Sequence, residues 1–324
     1  MTEPAVEVSD LRHAYGDRVA LDGVSLSVSS GEIFALLGPN GSGKTTLFRI
    51  LSTMLPAPPG SVRVAGFDPA KDPAGVRSHI GVVFQSPSLD KQLTAEENLV
   101  HQGHLYGLRG PELRRRVGDA LEAVGMAGRA RERTATFSGG MRRRVEVAKA
   151  LLHRPRVLLM DEPSTGLDPA ARIEMWRHLR QVTSSVGVAV LLTTHLMEEA
   201  DGADRLAVME RGRLIACDTP AALKDRIGGD VISMVSRDPA ALEEALRDRL
   251  GLAAEVVDGS VRIERERGHE LVVRLIEAAP GLVESVSVGK PTLQDVFIRL
   301  TGKSFETGNA APQGARGHAA ASGR

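Results

Sequence analysis

Ile33-Phe34-Ala35-Leu36-Leu37-Gly38-Pro39-Asn40-Gly41-Ser42-Gly43-Lys44-Thr45-Thr46-Leu47 is the stretch that decides the fold. Its first five residues are all apolar and read as a strand. The spacing of Leu47, Ile50, Leu51 and Met54 after them reads as a helix. Between the two, Gly38 to Thr45 fits G-x-x-x-x-G-K-[ST] in the strand-to-helix setting that this loop needs. Glycines let the backbone wrap so that successive N–H groups point at phosphate oxygens, and the helix N-terminus adds partial positive charge. Gly38, Pro39, Asn40, Gly41, Ser42, Gly43, Lys44, Thr45 and Thr46 are therefore the expected ATP-binding loop. Lys44 is expected to reach the β- and γ-phosphates, and the Thr45 hydroxyl to ligate Mg²⁺.

Working outward, a second apolar run, Val157-Leu158-Leu159-Met160, ends in Asp161-Glu162. A parallel strand delivers carboxylates to the ligand-binding edge of its sheet in this way. Asp161 is expected to hold Mg²⁺, and Glu162 to polarise the water that attacks the γ-phosphate. The plainer alternative is an acidic strand end that caps the next segment. Ser138-Gly139-Gly140 opens a helix with Met141, Val145, Ala148 and Leu152 on one face. Its N-terminus is either a second phosphate site or an ordinary cap.

The remaining pattern is mixed α/β. Val24, Leu26 and Val28 keep a period of two, as do Val62 and Val64. From about residue 90 to 155 the chain reads as a helical insertion. Thr94 with Glu97 makes a capping box, and Pro111 opens a helix with Leu113, Val117, Ala120, Leu121 and Val124 on one face. Further strands are expected at Gly187 to Thr193, at Arg205 to Glu210, and after a turn at Arg211 and Gly212.

Gly228 and Gly229 punctuate the chain, so residues 1–227 form the expected nucleotide domain and 228–301 an accessory α+β domain. The latter reads β-α-β-β-α-β, a ferredoxin-like order, followed by a helix over Thr292 to Leu300. Residues 302–324, rich in Gly, Ala and Ser, are expected to be a disordered tail.

Lys plus Arg and Asp plus Glu both total 41, a formal net charge of zero, which argues against a protein held mainly by nucleic-acid phosphates. The single Cys217 and an N-terminus without an apolar core point to the cytosol. Apolar runs such as Val186 to Leu192 fall far short of the roughly 20 residues a membrane-spanning helix needs. Any membrane role must then come through a partner.

Taken together these segments resemble the ATP-binding cassette (ABC) family of transport ATPases. The Gly38 loop looks like its Walker A, Phe137-Ser138-Gly139-Gly140-Met141 like its signature, and Val157 to Glu162 like its Walker B. The other family markers follow in order: Tyr15, Gln85, Ser164-Thr165-Gly166-Leu167-Asp168, and His195. The resemblance covers roughly residues 5 to 225. It implies a P-loop NTPase cassette with a RecA-like core, an antiparallel β-subdomain and an α-helical subdomain. It further implies that Tyr15 stacks on adenine, that Gln85 senses Mg²⁺ and the transport subunit, and that His195 contacts the γ-phosphate. By the same resemblance Asp168 is expected to couple two subunits, and Ser138, Gly139 and Gly140 to bind the nucleotide of the opposing copy.

Phe137 and Met141 depart from the Leu and Gln of many cassettes, and Met141 cannot supply the polar contacts of Gln. Phe137 to Arg144, with arginines at 142, 143 and 144, is similar to the daunorubicin-resistance subgroup of bacterial drug exporters, as is Pro291 to Phe297. At least two of the three arginines are expected on a solvated helix face. The subgroup implies a head-to-tail ATP-sandwich dimer, with a second copy or a paralogous ATPase, on the cytoplasmic side of the cell membrane. The dimer drives a separate transmembrane permease that exports a hydrophobic drug or secondary metabolite. A soluble cassette ATPase acting on nucleic acid or ribosomes, or an importer subunit, is the alternative, and the two stretches just quoted favour export.

Overall fold

The computed structural model describes residues 3–303 and 305 of the 324. It divides into two compact units, Met1–Ile227 and Gly228–Arg324. In the first, β1 (Val6–Tyr15) and β2 (Arg18–Val28) form an antiparallel pair before β3 (Ile33–Leu37) runs into the Gly38 loop and α1 (Lys44–Leu51). β4 (Val62–Val64) adds to β1, giving a small antiparallel sheet of order β2-β1-β4. Helix α1 ends earlier than the apolar spacing suggests. Thr53 turns left-handed at φ 62°, and Met54 lies outside the helix, exposed.

After α2 (Pro73–His79) and β5 (Ile80–Val83) comes the helical insertion: α3 (Ala95–Leu105), α4 (Gly110–Ala123) and α5 (Gly139–Leu151). The Thr94–Glu97 capping box is present at the start of α3, and Leu113, Val117, Ala120 and Leu121 form the buried stripe of α4. The chain then alternates through β6 (Val157–Asp161), α6 (Pro169–Val186), β7 (Ala189–Thr194), α7 (Met197–Asp201) and β8 (Arg205–Glu210). A left-handed pair, Arg211 (φ 48°) and Gly212 (φ 80°), turns β8 into β9 (Arg213–Asp218), as two-residue hairpins require. Helix α8 (Pro220–Asp225) closes this unit.

The six-stranded sheet has the order β5-β6-β7-β3-β8-β9 and is parallel except for β8 with β9. β3, β6 and β7 have no exposed residue, as strands covered on both faces should. Register sets Leu37 beside Thr194 and Asp161 beside Thr193. The Gly38 loop, Glu162 and His195 therefore leave the sheet at one edge, where carboxyl ends of parallel strands form ligand clefts.

The second unit contains β10 (Asp230–Val235), α9 (Pro239–Leu250), β11 (Glu255–Val257), β12 (Ser260–Arg265), α10 (Val272–Ala278), β13 (Ser285–Gly289) and α11 (Leu293–Thr301). All pairings are antiparallel in the order β11-β12-β10-β13, the ferredoxin-like arrangement. A 3₁₀ turn over Gly268–Leu271 leads into α10. Pro291 to Phe297 acquires a structural reason. Thr292 and Asp295 form a capping box, Asp295 also pairs with Arg262 of β12, and Phe297 is buried. Phe305 is buried edge-on against Phe297, their ring centroids 4.9 Å apart. Residues 304 and 306–324, most of the expected tail, lie outside the described residues. No helix among the described residues is long and apolar enough to cross a membrane.

Candidate nucleotide site

The loop after β3 is shaped by two glycines that tolerate no side chain. A Cβ on Gly38 would sit 2.4 Å from the Met209 carbonyl oxygen and 2.6 Å from Ser42 Oγ. Gly43 lies at φ +109°, and a Cβ there would meet the Ala20 carbonyl oxygen at 2.6 Å. Within this wrap Lys44 is almost fully buried, and its Nζ donates to the carbonyls of Gly38 (2.6 Å) and Pro39 (2.9 Å). Burial pulls the Lys44 pKa below its usual value, while the negative charges of Glu162 and Asp161 oppose that shift. Ser42 Oγ is buried in the loop without a hydrogen-bond partner. The loop borders a cleft of about 540 Å³, lined further by Tyr15, Arg18, Thr45, Arg49, Glu162 and Arg211.

At the end of β6 the two acids have different settings. Asp161 is buried and accepts a hydrogen bond from Thr193 Oγ1 at 2.6 Å. Desolvation raises its pKa above the ordinary carboxylate range, the Thr193 hydrogen bond opposes this, and Glu162 adds a further upward push. Glu162 adopts the left-handed conformation, φ 45°, rare for a non-glycine residue and costing on the order of 1–3 kcal/mol. Its N–H is anchored on the Thr193 carbonyl (3.1 Å) and hydroxyl (3.0 Å). Its Oε2 accepts from Gln85 Nε2 (3.1 Å) and Thr165 Oγ1 (3.2 Å). His195 Nδ1 lies 3.2 Å from Oε1, within ion-pair distance but out of hydrogen-bond alignment.

The geometry is that of a nucleoside triphosphatase, and comparison with known proteins names the kind. Residues 21–165 match the ABC transporter family model. The chain is 40% identical over 323 residues to the daunorubicin resistance ATP-binding protein DrrA3 of Streptomyces coeruleorubidus, covering 96% of this chain and all of that one. The chain belongs to the ATP-binding cassette transporter family. Within that family it is also 36% identical to the linearmycin resistance ATP-binding protein LnrL of Bacillus subtilis, across 93% and 99% of the two chains. Among solved structures it resembles cbiO1 of Clostridium perfringens, part of the ABC transporter complex cbiONQ. The TM-score is 0.65 at 28% identity, covering 77% of this chain and 97% of that one. The chain is thus an ATP-binding, ATP-hydrolysing transport ATPase.

The structure gathers some of the cassette's expected site residues and leaves others apart. Tyr15, Asn40, Gly41, Gly43, Lys44, Thr45, Thr46 and Glu162 line one cleft, and Gln85 and His195 reach it through Glu162. Tyr15 is 45% exposed, its ring edge-on to His13. Ser138, Gly139 and Asp168 do not line this cleft. Ser138 caps α5 by accepting from Met141 N (3.2 Å), and Asp168 caps α6 by accepting from Ala171 N (2.9 Å). Ser138, Gly139 and Asp168 are exposed, whereas Gly140 is buried against Ala171.

Of the three arginines of the signature helix only Arg143 leaves the solvated face. It is 5% exposed, whereas Arg142 and Arg144 are both partly exposed, Arg144 pairing with Glu174 at 3.5 Å. Arg143 meets Glu146 at 2.9 Å, a buried pair with no counterpart in the sequence reading. The helical period held the clue, since Gly140, Arg143, Glu146 and Val147 fall on one buried stripe.

Proposed function

We propose that the chain is the motor subunit of an exporter, and that its cleft is half of a composite ATP site. Lys44 binds the β- and γ-phosphates, Glu162 is the general base for the attacking water, and His195 contacts the γ-phosphate. Tyr15 stacks on adenine. Ser42 Oγ, buried and unpartnered beside the loop amides, suits a phosphate oxygen. Mg²⁺ fits the oxygen donors of Thr45, Asp161 and Gln85, hard ligands of the sort this ion prefers, and when bound it supplies charge neutralisation at the phosphates.

The observation that carries the composite site is the position of Ser138. It is an exposed helix N-terminus outside the lining of the chain's own cleft. Ser138, Gly139 and Gly140 would face the γ-phosphate held by the other copy, with Asp168 at the seam. A chain carrying Ser138→Arg should fold and bind ATP yet hydrolyse at least tenfold more slowly. Mixing it with a Lys44→Ala chain should restore turnover, because each mixed pair holds one intact loop facing one intact signature. Wild-type turnover by the Ser138→Arg chain alone would sink the composite site.

Export rather than import is favoured by the resistance and export names of the relatives that match along the whole chain. The cargo would be a hydrophobic drug or secondary metabolite, carried by a separate permease with this chain peripheral on the cytoplasmic face. A groove of about 350 Å³ beside the Gln85 loop, with exposed Phe84 and Tyr106 at its wall, offers the permease an apolar contact. Efflux from cells co-expressing the genomically adjacent membrane protein, abolished by Glu162→Gln, tests this reading. Efflux that persists without the ATPase would remove it.

A further inference from the structure

The Gln85 loop is exposed along Phe84 to Ser88, yet its backbone is clamped by about two turns of α5. Arg143 Nη1 donates to the Phe84 carbonyl at 2.6 Å, and Nη2 to the Gln85 carbonyl at 3.0 Å. The same guanidinium donates to Glu146 at 2.9 Å, and Glu146 Oε1 accepts the Ser88 N–H at 2.5 Å. Lys149 Nζ closes the set on the Ser88 carbonyl at 3.1 Å. Both members of the central pair are about 95% buried. From this clamp the Gln85 amide extends to Glu162 at 3.1 Å.

We propose that Arg143 and Glu146 are positioning residues that fix Gln85 relative to Glu162, tying the catalytic carboxylate to the helix whose other end presents Ser138. The proposal rests on the reading of Gln85 and Glu162 given above. Arg143 and Ser138 belong to one rigid helix, so any shift of that N-terminus toward a second nucleotide drags the Phe84 and Gln85 carbonyls with it. The Gln85 amide then tightens or leaves Glu162. Stability alone does not require such a device, because buried ion pairs replaced by apolar residues of similar size are often neutral or more stable. Burial raises the pKa of Glu146 and lowers that of Arg143, so the pair is held against its own desolvation by the surrounding hydrogen bonds. The fork of Arg143 is also specific. A lysine ammonium keeps the charge but cannot bridge two carbonyls and a carboxylate in one plane.

The test uses the full chain and measures melting temperature, ATP affinity, and kcat and KM for ATP. Arg143→Met with Glu146→Leu should melt within a few degrees of wild type and bind ATP within threefold, because the Gly38 loop is untouched, while kcat falls at least tenfold. Added to Gln85→Ala, the same pair should cost less than threefold more, since both act through one contact. A folded double variant with wild-type kcat overturns the proposal, as does a fully additive loss with Gln85→Ala. Normal turnover by Gln85→Ala alone would instead remove the reading of Gln85 on which the proposal stands. If the double variant fails to fold, Arg143→Lys decides: a folded protein with reduced kcat and unchanged KM supports the linkage, and wild-type kcat refutes it.

Discussion

Glu162→Gln replaces one carboxylate oxygen by an NH₂ group and leaves the shape of the side chain intact. The amide oxygen can keep the place of Oε2, accepting from Gln85 at 3.1 Å and Thr165 at 3.2 Å. The new NH₂ then lies beside His195 Nδ1, a contact of 3.2 Å that is out of hydrogen-bond alignment in the wild type, so no hydrogen bond is lost there. Two donors stay satisfied and the strained backbone keeps its anchors on Thr193, so stability should change by no more than about 1 kcal/mol. Binding should hold as well. Lys44 and the loop amides are unaltered, and one negative charge near the incoming phosphates is gone.

Turnover should not hold. A positioned general base contributes typically 10²–10⁴-fold, so the barrier should rise by about 2.7–5.5 kcal/mol. The assay is phosphate release in the assembled transporter, paired with retention of nucleotide by a dimer on gel filtration. A folded Glu162→Gln protein turning over within threefold of wild type would refute the assignment. Glu162→Ala separates two roles. Equal losses in the two variants assign the effect to the carboxylate's basicity, whereas loss only in Glu162→Ala would make the residue a scaffold for Gln85 and His195.

Gly38→Ala places a methyl group 2.4 Å from the Met209 carbonyl oxygen, so the loop must shift. Overpacking of this kind costs about 1–3 kcal/mol, and a fall of several degrees in Tm with at least tenfold weaker ATP binding is expected, an unchanged Kd counting against the cradle. Asp161→Asn should separate stability from function. Burial raises the folded pKa of Asp161 above the ordinary 3.8, so the folded chain holds this proton more tightly than the unfolded one. Its contribution to stability therefore declines as pH climbs through the interval between those two values. The Asn variant, free of nucleotide, should lose that decline and melt higher at pH 7 while hydrolysis drops at least a hundredfold. A Tm-against-pH curve with the wild-type slope would refute it.

What could be read from the chain without coordinates was what local chemistry fixes. Gly38, Gly43 and Lys44 are dictated by a loop that admits little else, and the Asp161-Glu162 pair follows from an apolar strand ending at a sheet edge. The turn at Arg211-Gly212 was legible too, and both residues adopt the left-handed conformation that a two-residue hairpin needs. Tertiary context set the rest. Met54 has the right spacing for α1 but falls beyond the left-handed Thr53. Arg143 was hidden because three consecutive arginines look like one solvated face, although a helix turns each residue about 100° from the last. Its contacts with the Phe84 and Gln85 carbonyls and with the Glu146 carboxylate make burying the middle one tolerable.

The same contrast separates binding from hydrolysis. The cleft holds loop amides, Lys44, Arg18, Arg49 and Arg211, ample charge for a triphosphate in its ground state. It is nevertheless open to solvent, with Tyr15 45% exposed and Thr45 exposed. Water there screens the field on a developing transition state, and excluding it strengthens every charge inside. A single copy should therefore bind ATP well and hydrolyse it poorly, since among the described residues Ser138 and Gly139 lie outside the lining of the cleft. On the proposed composite site, Ser138 of a second copy would add one donor and, more importantly, a wall. On this view the dimer accelerates the reaction chiefly by desolvating Glu162 and its phosphate together. Turnover should then rise with the square of subunit concentration at high dilution, and ATP affinity should tighten as dimers form, since whatever lets ATP favour the dimer lets the dimer favour ATP. A strictly linear dependence, with each chain working alone at full rate, would break the inference.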